Sequence, residues 1–226
     1  MTWLLGVALL LGLMVGPQWW ARHVLTRHAV DRPDLPGTGG ELARHLLDRL
    51  GLTDVRVEGS VAGSHYDPQA RVVRLEPWHL DGRSVTAVAV AAHEVGHAIQ
   101  HRDGDRWLTR RQQLVPIALL LQRTAAVAPV AAPVLAGAGL GPAGVALPLA
   151  LALLATAGAV AVHLVTLPVE HDASFGKALP ILEGGGYLGD DDLPAARRVL
   201  TACAWTYVAA ALAAVLQALR WIRFVR

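Results

Sequence analysis

The chain has 226 residues, of which 54% are hydrophobic and 17% charged, with a formal net charge of +2. Soluble domains average about 45–50% apolar and about 25% charged residues, so this composition excludes a disordered chain and argues against a nucleic-acid-binding protein. The only cysteine, Cys203, excludes a disulfide framework and a cysteine-based zinc site.

Four apolar stretches hold most of the hydrophobic excess, and a helix of about 20 apolar residues can cross a bilayer. They comprise residues 3–21, 114–137, 143–167 and 199–219. Trp19 and Trp20, followed by Arg22, are typical of an anchor at the membrane interface. Arg123 is costly in lipid and is expected to face the bundle or its boundary. The sequence predicts about four transmembrane helices, of which the second and third form a hairpin.

Two polar segments, 22–112 and 168–198, lie on the same side of this four-span arrangement and contain most of the basic residues. The positive-inside tendency therefore predicts that they face the cytoplasm. The basic end of the chain, with Arg220, Arg223 and Arg226, favours the opposite orientation.

The first polar segment predicts helices and a small strand unit. A helix is expected to begin near Thr38 and to end near Gly51, because apolar leucines recur on one side between them. Alternating residues predict short strands at 55–58 and 71–75, around a turn at 67–68. A second helix is predicted over 82–101, with Asp81 or Ser84 near its start.

This second predicted helix contains the sequence His-Glu-Val-Gly-His at 93–97, an HExxH motif. Positions i and i+4 share a helix face, so His93 and His97 can bind one metal ion. Glu94 lies about 100° around the helix, where it can act as general base on a zinc-activated water. Gly96 allows another element to approach closely. Surface histidines are the alternative, but the apolar flanks predict a buried helix, in which unpaired histidine and glutamate would be costly.

The third ligand must come from another part of the chain. His101 shares the face of the two histidines, but it would lie about 12 Å from His93 along a straight helix, whereas zinc–nitrogen bonds are about 2.0–2.1 Å. Glu170 is the first candidate, because it directly follows the third apolar stretch and a membrane hairpin would return it to the HExxH helix. His171 and Asp172 are the second and third candidates.

Longer motifs around these residues resemble one protein family. The matching segments, in chain order, are 65–68, 89–101, 114–116, 167–170 and 200–212. Together they resemble the YugP-type neutral zinc metallopeptidases, which are multi-pass membrane proteins of bacteria, more distantly similar to the HtpX and CAAX-prenyl protease gluzincins. The resemblance implies that His93 and His97 bind zinc, that Glu94 is catalytic and that Glu170 is the third ligand.

Two positions depart from the pattern of these relatives. Related gluzincins often have an aspartate four residues after the ligand glutamate, hydrogen-bonded to a zinc histidine, whereas this chain has Ser174. His171 and Asp172 stand where phenylalanine and asparagine are expected in the family. His65 and Tyr66 precede the HExxH helix and could align an extended peptide by strand addition, or His65 could stabilise an oxyanion. A turn-flanking histidine and a packed tyrosine are an equally good interpretation.

The sequence as a whole predicts a mainly α-helical, multi-pass membrane bundle of one domain, 1–226, with a small β-strand unit and the HExxH helix on the cytoplasmic side of the bacterial cell membrane. The predicted activity is zinc-dependent endopeptidase cleavage of membrane proteins or membrane-proximal segments. The expected cofactor is one zinc ion, and the expected partners are a protein or peptide substrate and the bilayer. The alternatives are a zinc hydrolase of a lipid or other amide and a non-catalytic zinc-binding scaffold.

Overall fold

The structure is a computed structural model that describes residues 2–205. Its helices and strands are α1 (Thr2–Arg27), α2 (Gly39–Arg49), β1 (Arg56–Gly59), β2 (His65–Asp67), β3 (Val72–Leu75), α3 (Pro77–Leu80), α4 (Val85–Arg102), α5 (Arg106–Ala125), α6 (Ala128–Leu135), α7 (Gly141–His171) and α8 (Leu179–Gly185). A π-helical segment, Ala136–Leu140, precedes α7, and a π-helical turn, Asp172–Ala178, joins α7 to α8. Residues 193–205 are again helical. The predicted mainly helical fold with a small sheet is therefore observed.

The small sheet has the strand order β1-β3-β2, so β2 is an edge strand. β1 pairs in parallel with β3, and β2 pairs with β3 in the antiparallel direction, with Tyr66 opposite Val73. The predicted turn between β2 and β3 is formed by Asp67, whose Oδ1 accepts hydrogen bonds from the backbone N–H groups of Gln69 and Ala70. One edge of β2 is thus left unpaired by the sheet.

The predicted α2 helix is confirmed together with the signals at both of its ends. Thr38 and Glu41 form a capping box at its start. Beyond its end, Gly51 has a φ of 71°, a left-handed conformation that glycine adopts without strain. The buried leucines of α2, Leu46 and Leu47 among them, belong to the same core as α4, so α2 supports the helix that carries the HExxH motif.

The α4 helix is the centre of the core. Its N-cap is Ser84, whose side chain accepts a hydrogen bond from the N–H of Ala87. Every residue of α4 from Val85 to Gln100 is buried. A helix that is apolar around its whole circumference must be buried on all sides, and the small alanine side chains let its neighbours pack closely. The predicted buried HExxH helix is confirmed.

The number of membrane-spanning helices differs from the prediction. Among the described residues, one helical stretch is long and apolar enough to cross a membrane, Ala146–Gly185, with a mean hydropathy of 2.1 over its most apolar window. The predicted multi-pass bundle of about four transmembrane helices is therefore wrong.

The second predicted span, 114–137, shows why the predicted number of transmembrane helices is wrong. Its apolar run is divided between two helices, α5 and α6. The third predicted span, 143–167, overlaps the single candidate stretch from residue 146 onward, and the first lies within α1. Most of the fourth, 199–219, lies outside the described residues. The predicted pairing of the second and third stretches is present, because α5 and α6 both pack against α7. The chain turns between α6 and α7 at Gly139 and Gly141, which both have a positive φ.

Candidate metal centre

The three proposed ligands come from two elements that meet in the core. His93 and His97 lie one turn apart on α4, and Glu170 lies at the end of α7. All three side chains are buried, and Glu170 is only 1% exposed. Their ligand atoms lie within 4.8 Å of one another. The structure therefore brings together the residues that the motif and the hairpin argument predicted.

A close contact between backbones makes this meeting possible. If Gly96 carried a Cβ atom, that atom would lie 2.8 Å from the carbonyl oxygen of Ala173 in the π-helical turn that follows α7. Only glycine accommodates a backbone at this distance. The predicted role of Gly96 in admitting another element is confirmed, and that element is the turn directly after Glu170.

The carboxylate of Glu170 has one oxygen directed at both histidines. Oε2 lies 3.2 Å from Nε2 of His93 and 3.4 Å from Nε2 of His97. It is buried and accepts no hydrogen bond from the described residues. A buried carboxylate oxygen without a partner is costly. A cation between these three atoms would satisfy Oε2.

The separations of these atoms fit a zinc ion. Two ligand atoms at zinc bond lengths of about 2.0–2.1 Å in a tetrahedral site lie about 3.3 Å apart, close to the distances that separate Oε2 from the two nitrogens. Two imidazoles and one carboxylate are also a ligand set of catalytic zinc. The donor set, its spacing and the unpartnered oxygen all suit this metal.

The far side of each imidazole ring is held by a neutral acceptor. Ser174 donates its hydroxyl to the carbonyl of Leu200, at 3.2 Å, so its Oγ accepts from Nδ1 of His93, at 3.1 Å. Gln100 places Oε1 2.9 Å from Nδ1 of His97. Both arrangements put the proton on Nδ1 and the lone pair of Nε2 toward the cluster, as metal-binding histidines require.

Gln100 also connects the two elements that carry the ligands. It is fully buried, and its Nε2 donates to the carbonyl of Val169, at 2.8 Å, and to Oδ2 of Asp172, at 2.9 Å. Asp172 therefore reaches His97 only through Gln100. His171, the other predicted competitor for the ligand position, packs its ring against Phe175. Neither is part of the cluster.

The buried carboxylate of Glu170 changes the pKa of the neighbouring His97. Burial lowers the pKa of His97, but the nearby Glu170 carboxylate more than offsets burial and raises that pKa to about 9. A metal cation held here would take the place of this proton, because a nitrogen ligand must be deprotonated to bind a metal.

A cleft of about 500 Å³ opens onto the cluster. The described residues that line it include Glu94 of the motif, residues of β2 and residues of α5. Glu94 is 6% exposed. The site thus combines three side chains that could hold a metal ion and an additional carboxylate at one cavity.

The structure gives different contacts to the other predicted site residues. His65 lines the cleft, with Nδ1 3.1 Å from the carbonyl oxygen of Gly63. Tyr66 is buried, and its hydroxyl lies 2.8 Å from Nδ1 of His101. His101 therefore pairs with Tyr66 and is not part of the metal cluster, as the spacing argument predicted.

Sequence reasoning missed two residues that contact the ligands. Gln100 could have been found, because its i+3 spacing from His97 places both side chains on one face of a buried helix. Arg111 donates from Nη1 to Oε1 of Glu170 at 3.1 Å. No local signal in α5 points to that contact, which depends on the packing of α5 against α7.

Two histidines and one glutamate are the ligand set of some catalytic zinc sites. The chain belongs to the family described as "Putative neutral zinc metallopeptidase", whose model matches residues 2–226. The resemblance noted from the motifs is thereby confirmed, and zinc is the cofactor of this family.

A named relative gives the comparison more detail. Over 215 residues the chain is 37% identical to the "Putative membrane protease YugP" of Bacillus subtilis (strain 168), an alignment that covers 94% of this chain and 91% of that protein. The relative's name and the apolar stretch Ala146–Gly185 both support membrane association. No solved structure matches the chain.

Proposed function

We propose that this protein is a zinc-dependent endopeptidase whose ligands are His93, His97 and Glu170 and whose general base is Glu94. The observation that supports it most strongly is the buried Oε2 of Glu170, which accepts no hydrogen bond from the described residues and faces two imidazole nitrogens. The family and the relative's name support the same class of reaction. When bound, zinc supplies a water of lowered pKa and polarises the scissile carbonyl.

The chain's own contribution to the reaction is proton transfer at Glu94. Its carboxylate takes a proton from the attacking water and then gives it to the nitrogen of the leaving amine. A structural zinc site needs no such base at an open cleft. The presence of Glu94 beside the cluster therefore supports an enzyme over a non-catalytic scaffold.

We further propose that a peptide substrate binds in extended form along β2. This strand is at the edge of the sheet, and its residues line the cleft that holds the cluster. An unpaired strand edge offers backbone donors and acceptors to a peptide, which gives affinity without a fixed sequence. In this arrangement His65 contacts the substrate, and Tyr66 fixes the strand against α4 through His101.

The substrate class follows from the position of the ligands. Glu170 lies inside the helical stretch Ala146–Gly185, the apolar candidate for crossing a membrane. We therefore propose that the substrates are membrane proteins or segments close to the bilayer. The cytoplasmic orientation of the cleft and the absence of nucleic acid partners stay predictions.

Hydrolysis by a Glu94→Gln protein tests the reaction. Proteoliposomes carrying the wild-type chain or the variant are incubated with a mixture of membrane-tethered peptides, and cleavage is followed by mass spectrometry. Because the amide cannot accept the proton, we expect cleavage to fall by at least about 100-fold, while zinc content is unchanged. Glu183→Gln, at an exposed ion pair with Arg197, is the matched control and should cleave normally. Cleavage by Glu94→Gln at the wild-type rate would contradict the mechanism.

A further inference from the structure

The two oxygens of Glu170 have different surroundings. Oε2 faces the two imidazoles and accepts no hydrogen bond from the described residues, whereas Oε1 accepts a hydrogen bond from Nη1 of Arg111 at 3.1 Å. The Glu170 side chain is 1% exposed, and that of Arg111 is 27% exposed. The pair therefore lies at the wall of the cleft, which Arg111 also lines.

The pair joins the two elements on either side of the cluster. Arg111 lies in the first two turns of α5, and Glu170 lies at the end of α7, against which α5 packs. A hydrogen bond from a guanidinium to a carboxylate is short, directional and stronger than one between neutral groups. Rotation of the Glu170 carboxylate would break this bond and leave Oε1 unpaired in a buried place, which is costly.

A catalytic zinc site needs a coordination position that the protein leaves open. A carboxylate that turned both oxygens to the ion would occupy more of the coordination sphere than one that offers a single oxygen. We propose that Arg111 is a positioning residue that holds Oε1 of Glu170, so that only Oε2 reaches the metal and one position remains open. The inference rests on the zinc site and not on the peptidase reaction.

The test compares three variants of the full chain in detergent. Arg111→Gln removes the cation, and Arg111→Lys keeps a charged donor at the same position. Arg110→Gln is the matched control, because Arg110 is the adjacent arginine and its guanidinium lies over the Trp107 ring, at 5.0 Å. Zinc affinity is measured by competition with a chelator, and the coordination number is measured from the visible spectrum of the cobalt(II)-substituted protein.

We expect Arg110→Gln to match the wild type in both measurements. Arg111→Gln should bind zinc about tenfold more weakly, as is typical when a partner of a metal ligand is lost, and its cobalt spectrum should weaken toward that of a five-coordinate ion. Arg111→Lys should restore the wild-type spectrum. The cobalt spectrum distinguishes a positioning role of Arg111 from a merely structural one, because loss of a structural contact would lower zinc affinity without changing the coordination number.

An unchanged cobalt spectrum in folded Arg111→Gln, with or without a loss of affinity, would overturn the proposal. If far-UV circular dichroism shows that this variant does not fold, Arg111→Lys decides alone. A wild-type spectrum in that protein supports the proposal, and a five-coordinate one overturns it. Peptide cleavage enters neither measurement, so the proposed peptidase activity can fail or succeed separately.

Discussion

Ser174 fixes the orientation of His93, a proposed zinc ligand, with a neutral hydroxyl group. Its Oγ lies 3.1 Å from Nδ1 of His93 while its own proton is used by the carbonyl of Leu200. In related gluzincins this position is often an aspartate. In this structure the serine hydroxyl contacts Nδ1 of His93 without bringing a negative charge.

A Ser174→Ala substitution tests the importance of this contact. Without the acceptor, the imidazole of His93 loses its fixed tautomer and orientation, so we expect zinc to bind about tenfold more weakly. Chelator competition at fixed pH measures the change. Thr201→Ala is the control, because Thr201 is a hydroxyl residue that donates to the carbonyl of Arg197 within its own helix. Equal zinc affinity in Ser174→Ala and wild type would mean that the hydroxyl does not support the ligand.

At the scale of elements, the site depends on the contact between α4 and the π-helical turn Asp172–Ala178. π-Helical turns are rare in proteins, but those that occur are often found at functional sites. Here the turn follows Glu170 directly, contains Ser174 and lies against Gly96. One close contact therefore sets the position of a ligand and of a ligand's partner together.

A Gly96→Ala substitution tests this contact. The added methyl group would lie 2.8 Å from the carbonyl oxygen of Ala173, so the two backbones must separate. We expect a loss of about 1–3 kcal/mol in the free energy of unfolding and weaker zinc binding, because Glu170 moves with the turn.

Gly184→Ala is the control for the helical preference of alanine. Gly184 lies in α8, and no other part of the described chain comes within 4 Å of the position that a Cβ atom would take. This substitution should therefore leave stability unchanged or raise it slightly. Chemical denaturation in detergent and zinc titration measure both variants. If Gly96→Ala were as stable as Gly184→Ala and bound zinc normally, the close contact would not position the site.

At the scale of the whole molecule, the helical stretch Ala146–Gly185 carries both an exposed apolar surface and one of the proposed metal ligands. Side chains such as Leu147, Leu154 and Leu164 on α7 are more than half exposed, which is unfavourable in water. The same stretch continues to Glu170 in the core. The protein is thus suited to a membrane at one end and to metal chemistry at the other.

Membrane fractionation tests this arrangement. We expect the expressed chain to sediment with membranes and to remain there after washes with high salt and alkaline carbonate, because burial of apolar helices in lipid does not depend on ionic contacts. A peripheral control protein of the same host should be released by both washes. Release of this chain into the supernatant would contradict a lipid-embedded stretch.

Sequence patterns predicted the parts of the molecule that depend on local information. The HExxH spacing located His93 and His97, the caps located α2 and α4, and the order of apolar stretches located Glu170. The number of spans was wrong because apolar composition does not reveal where a helix breaks, as it does between α5 and α6. The contact of Arg111 with Glu170 was missed because it joins two residues that lie 59 positions apart in the chain, on different helices.

Zinc analysis of a Glu170→Ala protein tests the central claim most directly. His171→Ala is the matched control, because His171 is the adjacent residue and lies outside the cluster. The purified wild type and the His171→Ala control should each contain one zinc ion per chain. Glu170→Ala should contain almost none after dialysis, since it loses the one carboxylate among the three proposed ligands. Full zinc occupancy in folded Glu170→Ala would contradict the proposed His93, His97 and Glu170 centre.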